Sequence, residues 1–221
     1  MNALLSSGVC RLASGFPLFA SDLGAPSRAT ARTPDYEGAK PRRLRPFVAL
    51  QPLAASKPYY AMAMGVVTRD PALAVETLAD LRNLRIGAVS GTLAGSALML
   101  YRNGALQPSI VSLGERDSAL DALAAGRVDA TLVALGTYDA WRQAHREAPL
   151  HRAKFLHPLR LNMGFVGLQD EPALAAATRV IGRARDSGEL ERWADAAGVT
   201  WIAPQPPDLN PPFSLFSLRL D

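Results

Sequence analysis

The 221-residue chain has a single cysteine, Cys10, which excludes an intramolecular disulfide and any multi-cysteine metal site. Histidine is scarce as well. His145, His151 and His157 are the only three, and a step of six residues turns a helix by about 600°. Neighbouring members therefore face opposite sides and are expected to be solvated, with no metal implied. No apolar run reaches the roughly 20 residues of a membrane helix, so no membrane insertion is expected. Met1 to Ala20 starts without positive charge and is interrupted by Arg11, Gly15 and Pro17, a poor match to a secretory signal. Concentrated charge is missing too. The net charge is +4 and the sequence pI is about 9.6, but Lys and Arg are scattered except near residues 40 to 45. A nucleic-acid binder gathers its charge on one face or stripe, so no nucleic-acid partner is expected.

Catalytic signatures are equally thin. Ser90 lies on a strand–turn–helix, but the positions two before and two after it are Ala88 and Thr92, not the glycines of a nucleophile elbow. No G-x-x-x-x-G-K phosphate loop occurs. Pro17, Pro26, Pro34, Pro41 and Pro46 interrupt any helix-turn-helix upstream of residue 80. Asp117 and Asp121 stand four apart on an expected helix and read as a solvated face, and Asp129 reads as structural. The expectation is a non-enzyme without a cofactor.

What is present is a globular composition, 48% apolar and 20% charged, enough for a buried core. Leu4-Leu5 before Gly8 reads as a helix end, and Val9 to Ala13 as a short strand. Residues 21 to 46 have no periodicity and read as a long Arg/Pro-rich loop, either plain solvated chain or a functional insertion. Strands are expected at Met62–Thr68, Arg85–Ser90, Ser109–Leu113, Asp129–Ala134, Phe155–Leu159, Met163–Leu168 and Thr200–Ile202. Helices are expected at Thr92–Tyr101, Ser118–Ala125, Tyr138–Arg146, from Pro172 to about Ala184, and at Glu189–Ala197. This alternation argues for a mostly parallel sheet with helices packed on it.

The most informative segment is Ile86-Gly87-Ala88-Val89-Ser90-Gly91-Thr92-Leu93. A strand ends at Gly and hydroxyl residues and a helix begins at once. The first-turn amides and the positive end of the helix dipole make an anion site. The same residues serve equally as a plain cap.

Around it the sequence resembles the bacterial extracellular solute-binding proteins of family 3. The resemblance rests on Ser56-Lys57-Pro58-Tyr59-Tyr60, Leu78 to Gly87, Ser90-Gly91-Thr92, Ala119 to Ala130 (with Ala125-Gly126-Arg127-Val128-Asp129-Ala130), Met163-Gly164-Phe165-Val166 and Gly188-Glu189-Leu190-Glu191-Arg192-Trp193, in family order. It implies an α/β fold of the periplasmic binding protein type II-like class, with two lobes, a hinge and an incomplete first lobe. Residues 1–83 would be partial lobe 1, 84–162 lobe 2, 163–203 the return to lobe 1 and 204–221 a Pro-rich tail. It also implies a periplasmic location, a small-molecule solute and a membrane permease as partner.

By this resemblance Ser90, Gly91 and Thr92 would line the ligand site. Tyr59 or Tyr60 would form an aromatic wall or pack in the core. Arg45 is the nearest counterpart of the family's carboxylate-binding arginine, displaced by an insertion. Amino-acid-binding members carry an acidic residue where this chain has Ala134, so the expected solute is polar or anionic and not an ordinary amino acid. Segments near Phe16-Pro17, Gly136 and Trp201-Ile202-Ala203-Pro204 also resemble a subgroup associated with quinoprotein dehydrogenases. That resemblance implies, as the alternative, a periplasmic accessory protein whose partner is a dehydrogenase. The stretch Asn210-Pro211-Pro212-Phe213-Ser214 resembles the family's first strand, and with it a tail could patch the first lobe.

Overall fold

A computed structural model describes residues 1–219. The chain divides into two compact units. Unit 1 comprises Met1–Ala61, Leu161–Trp193 and Ala203–Phe213; unit 2 comprises Met62–Arg160, Ala194–Ile202 and Ser214–Asp221.

Unit 1 opens with α1 (Asn2–Ser6), β1 (Leu12–Pro17), β2 (Thr30–Arg32), β3 (Phe47–Ala49) and β4 (Leu53–Ala55). The expected first strand thus lies a few residues later than Val9–Ala13. The expected loop is not structureless, because β2 and β3 pair antiparallel, Thr30 opposite Ala49 and Arg32 opposite Phe47. Its remainder is held by Arg45, which is buried. The Arg45 guanidinium donates to the Thr33 carbonyl at 2.7 Å and to the Pro34 carbonyl, and pairs with Asp35 at 2.5 Å.

Unit 2 is built from β5 (Tyr60–Thr68), β6 (Ile86–Val89), α2 (Leu93–Leu100), β7 (Ile110–Leu113), α3 (Ala119–Ala124), β8 (Ala130–Ala134), α4 (Leu135–Ala144) and the start of β9 (His151–Leu168). The strand order is β9-β5-β8-β6-β7. β6 runs parallel to β7 and β8, whereas β5 is antiparallel to β8. The sheet is therefore mixed, with a parallel centre. Both faces are covered, as parallel strands require. Met64, Val66, Ile86, Leu98, Tyr101 and Leu106 pack on one face, and Val67, Leu120, Leu123, Val128 and Val133 on the other. Val75, Leu78 and Leu81 belong to the first of these cores. Their burial places residues 62–83 with unit 2.

The two strands expected at Phe155–Leu159 and Met163–Leu168 are one 18-residue strand, β9. Pro158, Arg160 and Asn162 break its apolar pattern. Pro158 is tolerated because it is exposed and this half of β9 is the edge of the unit 2 order. The far half of β9 returns to unit 1, where Gly167 is opposite both Leu12 of β1 and Ala54 of β4. Leu5, Leu18, Leu53 and Val166 form the core there. The helices α5 (Pro172–Asp186) and α6 (Glu189–Ala196) follow.

No strand forms at Thr200–Ile202; Thr200 instead donates from its backbone N–H to the Asp139 carboxylate at 2.7 Å. The Pro-rich tail is fixed in unit 1 by two buried asparagines. Asn162 Nδ2 donates to the Gln205 carbonyl at 2.6 Å and to that of Pro207 at 3.0 Å, and its N–H donates to Asn210 Oδ1 at 2.7 Å. Asn210 also bridges Phe19 in parallel fashion.

Candidate functional site

The C-terminal ends of β6, β7 and β8 lead into α2, α3 and α4, β8 directly and the other two through short loops. In open α/β sheets this edge is where ligands bind. Unit 2 carries a cavity of about 340 Å³ there. Its floor is apolar, formed by Met62, Met64, Leu93, Leu120 and Leu132, and its polar rim by Thr92, Glu115, Asp117, Ser118 and Thr137.

The turn into α2 explains part of this shape. Gly91 has φ +75°, a left-handed conformation that costs glycine nothing. Thr92 is the N-cap. Its hydroxyl donates to the Val89 carbonyl at 2.8 Å and accepts from Gly95 N–H at 3.0 Å. Gly95 permits a close approach of helix to strand, because a Cβ there would stand 2.2 Å from the Val89 carbonyl oxygen. The next amides, of Leu93 and Ala94, have no intrahelical acceptor by the geometry of a first turn. Ala134 caps α4 with no side-chain bond, so the first-turn amides of that helix are open as well. Two helix N-termini with their positive dipole ends thus border one cavity through Thr92, Leu93, Ala94, Ala134 and Thr137.

Against this positive edge stand two exposed carboxylates. Asp117 Oδ2 accepts from Gly114 N–H at 2.7 Å, leaving its other oxygen for the cavity. Glu115 has no hydrogen bond or ion pair among the described residues, and its carboxylate lies 3.5 Å from where a Gly91 Cβ would be. Ser118 Oγ accepts from Asp121 N–H at 3.1 Å as the cap of α3, so its proton is left to donate elsewhere.

Of the site residues read from the sequence, only Thr92 borders this cavity. Ser90 and Gly91 line a separate groove of unit 2 with Ser96, Met99, Ser112 and Leu215. The Ser90 N–H donates to the Leu113 carbonyl at 3.0 Å, so its amide is not available to a ligand. Tyr59, Tyr60 and Arg45 belong to unit 1. Tyr59 packs on Phe165, centroids 5.2 Å apart, and Tyr60 is half-buried at the start of β5. Arg45 is turned to the loop through Nη1 on the Thr33 and Pro34 carbonyls and Nη2 on Asp35, away from its expected place at a ligand, and its buried Nε has no hydrogen-bond partner among the described residues.

Glu115, Ser118 and Thr137 were not among the site residues expected from the sequence, and Asp117 and Asp121 were expected on one solvated helix face. Asp117 precedes α3, and Asp121 accepts instead from Trp141 Nε1 at 2.6 Å. The signal was the polar run Gly114-Glu115-Arg116-Asp117-Ser118 after a parallel strand. The histidine reading also needs correction, since His157 is fully buried and its Nδ1 accepts from Leu159 N–H at 3.1 Å. Asp129 is structural, at the opposite end of β6 and β8. Arg85 grips it through Nη2 at 2.6 Å and Nε at 3.0 Å. That hydrogen bonding holds the Asp129 carboxyl below its ordinary value, against a smaller opposing effect of burial.

No protein-family model and no curated protein matches the chain. Solved structures do. The chain is similar to an ancestral cationic amino acid solute-binding protein at 13% identity and TM-score 0.59, covering 87% of this chain and 71% of that one. It is similar to an amino acid ABC transporter substrate-binding protein from Streptococcus pneumoniae bound to L-arginine at 18% identity and TM-score 0.53, covering 89% and 71%. A histidine kinase sensor domain with similarity to periplasmic binding proteins matches at 18% identity and TM-score 0.52, covering 91% and 76%. The fold is thereby defined as α/β, of the periplasmic binding protein type II-like class.

Proposed function

We propose that this chain is a solute-binding protein whose unit 2 cavity holds one small zwitterion of the amino-acid class. The observation that carries this reading is the pairing of opposite electrostatics on one rim. The amides of α2 and α4 suit a carboxylate, and Glu115 and Asp117 suit an ammonium or guanidinium. The apolar floor of Met62, Met64, Leu93 and Leu132 suits an aliphatic stem. Ala134 does not exclude an amine, because Glu115 and Asp117 supply carboxylates one loop away. Two neighbours in fold named for, or bound to, amino acids support the same reading. A periplasmic location and a transporter permease as partner accompany it, and no catalysis is assigned. The dehydrogenase partner has no observation in its favour.

Titration calorimetry with L-arginine, L-lysine, L-leucine and L-glutamate tests the proposal. Binding of a cationic amino acid that falls at least tenfold in Glu115→Gln/Asp117→Asn is the expected result, since a charge-assisted hydrogen bond contributes about 1.5–3 kcal/mol. Preference for L-glutamate, or cation binding indifferent to that double substitution, would overturn the assignment of the rim.

A further inference from the structure

The segment from Ser21 to Ala49 in unit 1 carries a surface that the solute site does not use. Leu44 and Phe47 are 61% and 63% exposed, and Tyr36 is 39% exposed. Apolar side chains this exposed are informative when they cluster among charges. Here Arg28, Arg32, Lys40, Arg42 and Arg43 of the same segment are all exposed, against the exposed carboxylates of Asp22 and Glu37. The carboxylate of Asp35 is taken by Arg45. The surface is organised. Arg32 lies over the Phe47 ring at 4.7 Å and donates to the Arg42 carbonyl at 3.4 Å. The β2–β3 pairing and the buried Arg45 anchor hold the backbone beneath.

We infer that this loop and hairpin form a peripheral docking surface for an anionic lipid bilayer, with Leu44 and Phe47 entering the headgroup boundary and the arginines on lipid phosphates. Charge complementarity argues for an anionic partner. The state of the cations argues for lipid over a folded acidic protein. The side chains of Arg28, Lys40, Arg42 and Arg43 make no hydrogen bond or ion pair among the described residues. Such unfixed, long cationic chains around apolar tips suit a fluid surface whose charges move to meet them. A protein interface would instead favour arginines preset against fixed carboxylates.

The test is sedimentation of the full chain with vesicles of phosphatidylcholine alone, and with about a third phosphatidylglycerol, at low and high salt. Binding is expected to the anionic vesicles only and to weaken with salt. Arg42→Gln/Arg43→Gln is expected to lower the partition coefficient about 25-fold, at about 5-fold for each cation near an anionic surface. Leu44→Ser/Phe47→Ser is expected to lower it at least tenfold with an unchanged thermal midpoint, both side chains being exposed. Equal binding to both vesicle types, no binding to either, or full retention by both variants would overturn the inference. Capture by soluble poly-L-glutamate without vesicle binding would overturn it in favour of an acidic protein partner.

Discussion

Replacing Gly95 by alanine probes the geometry on which the cavity depends. A Cβ at that position would lie 2.2 Å from the Val89 carbonyl oxygen, where real Cβ contacts stay above 3.0 Å. The first turn of α2 must therefore move by roughly 0.8 Å, the difference between the two. The obstacle is backbone, so no rotamer change relieves it. Overpacking of this kind costs about 1–3 kcal/mol. The movement also strains the 3.0 Å bond from Gly95 N–H to Thr92 Oγ1, a cap contributing about 1 kcal/mol. Alanine returns about 1 kcal/mol through its better helix propensity. The net expectation is a loss of about 1–3 kcal/mol, read as a lower urea midpoint by circular dichroism with an unchanged slope. Thr92→Ala, which removes the cap and the hydroxyl's bond to the Val89 carbonyl but leaves the helix–strand approach unobstructed, is the control and should cost about 1 kcal/mol. Solute affinity should fall further in Gly95→Ala than in Thr92→Ala, because the first-turn amides are displaced as well. A Gly95→Ala protein as stable as the parent, or more stable, would show that helix and strand do not meet as described.

The buried tail anchor makes a second target. Asn162→Ala strips the hydrogen bonds to the carbonyls of Gln205 and Pro207 and should cost about 2–4 kcal/mol, with faster proteolysis of residues 203–213 as the reading. Leu98→Ala empties a fully buried position in the unit 2 core and should cost about 2–5 kcal/mol in a denaturant melt. The Arg85–Asp129 pair gives an acid signature. The folded-state carboxyl is held low, so its stabilisation is complete above the unfolded carboxylate value and is lost as pH falls through the folded one. Asp129→Asn should flatten the fall in stability across that acidic window, and a parallel curve for both proteins would refute the coupling. The effect is modest because both side chains are more than a third exposed.

Much of the second unit was legible because its signals are local. Gly91-Thr92 before the apolar face of α2, Ser118 before α3 and Gly126 after it are start and stop chemistry written in neighbouring residues. The β9 strand was not legible as one element. Pro158 and Asn162 look like breaks, and only the partners of that strand, an edge on one side of Pro158 and the tail carbonyls around Asn162, make them compatible with extended chain. The internal order of the loop at residues 21–46 was hidden for the same reason, since the Arg45 anchor spans ten or more residues and has no periodicity.

By itself the sequence determined the α/β alternation, the order of strands and helices in unit 2, and the Thr92 cap at the mouth of a helix. Those follow from period, capping and turn residues within a few positions of one another. Tertiary structure alone decided which face of the Ser90-Gly91-Thr92 turn meets the cavity, leaving Thr92 there and Ser90 in the β6–β7 ladder. It also decided that Glu115 and Asp117 share a rim with two helix N-termini, and that Arg45 closes a loop. Each of these depends on groups brought together by packing, and a linear pattern carries no measure of which acceptor a guanidinium or an amide will find.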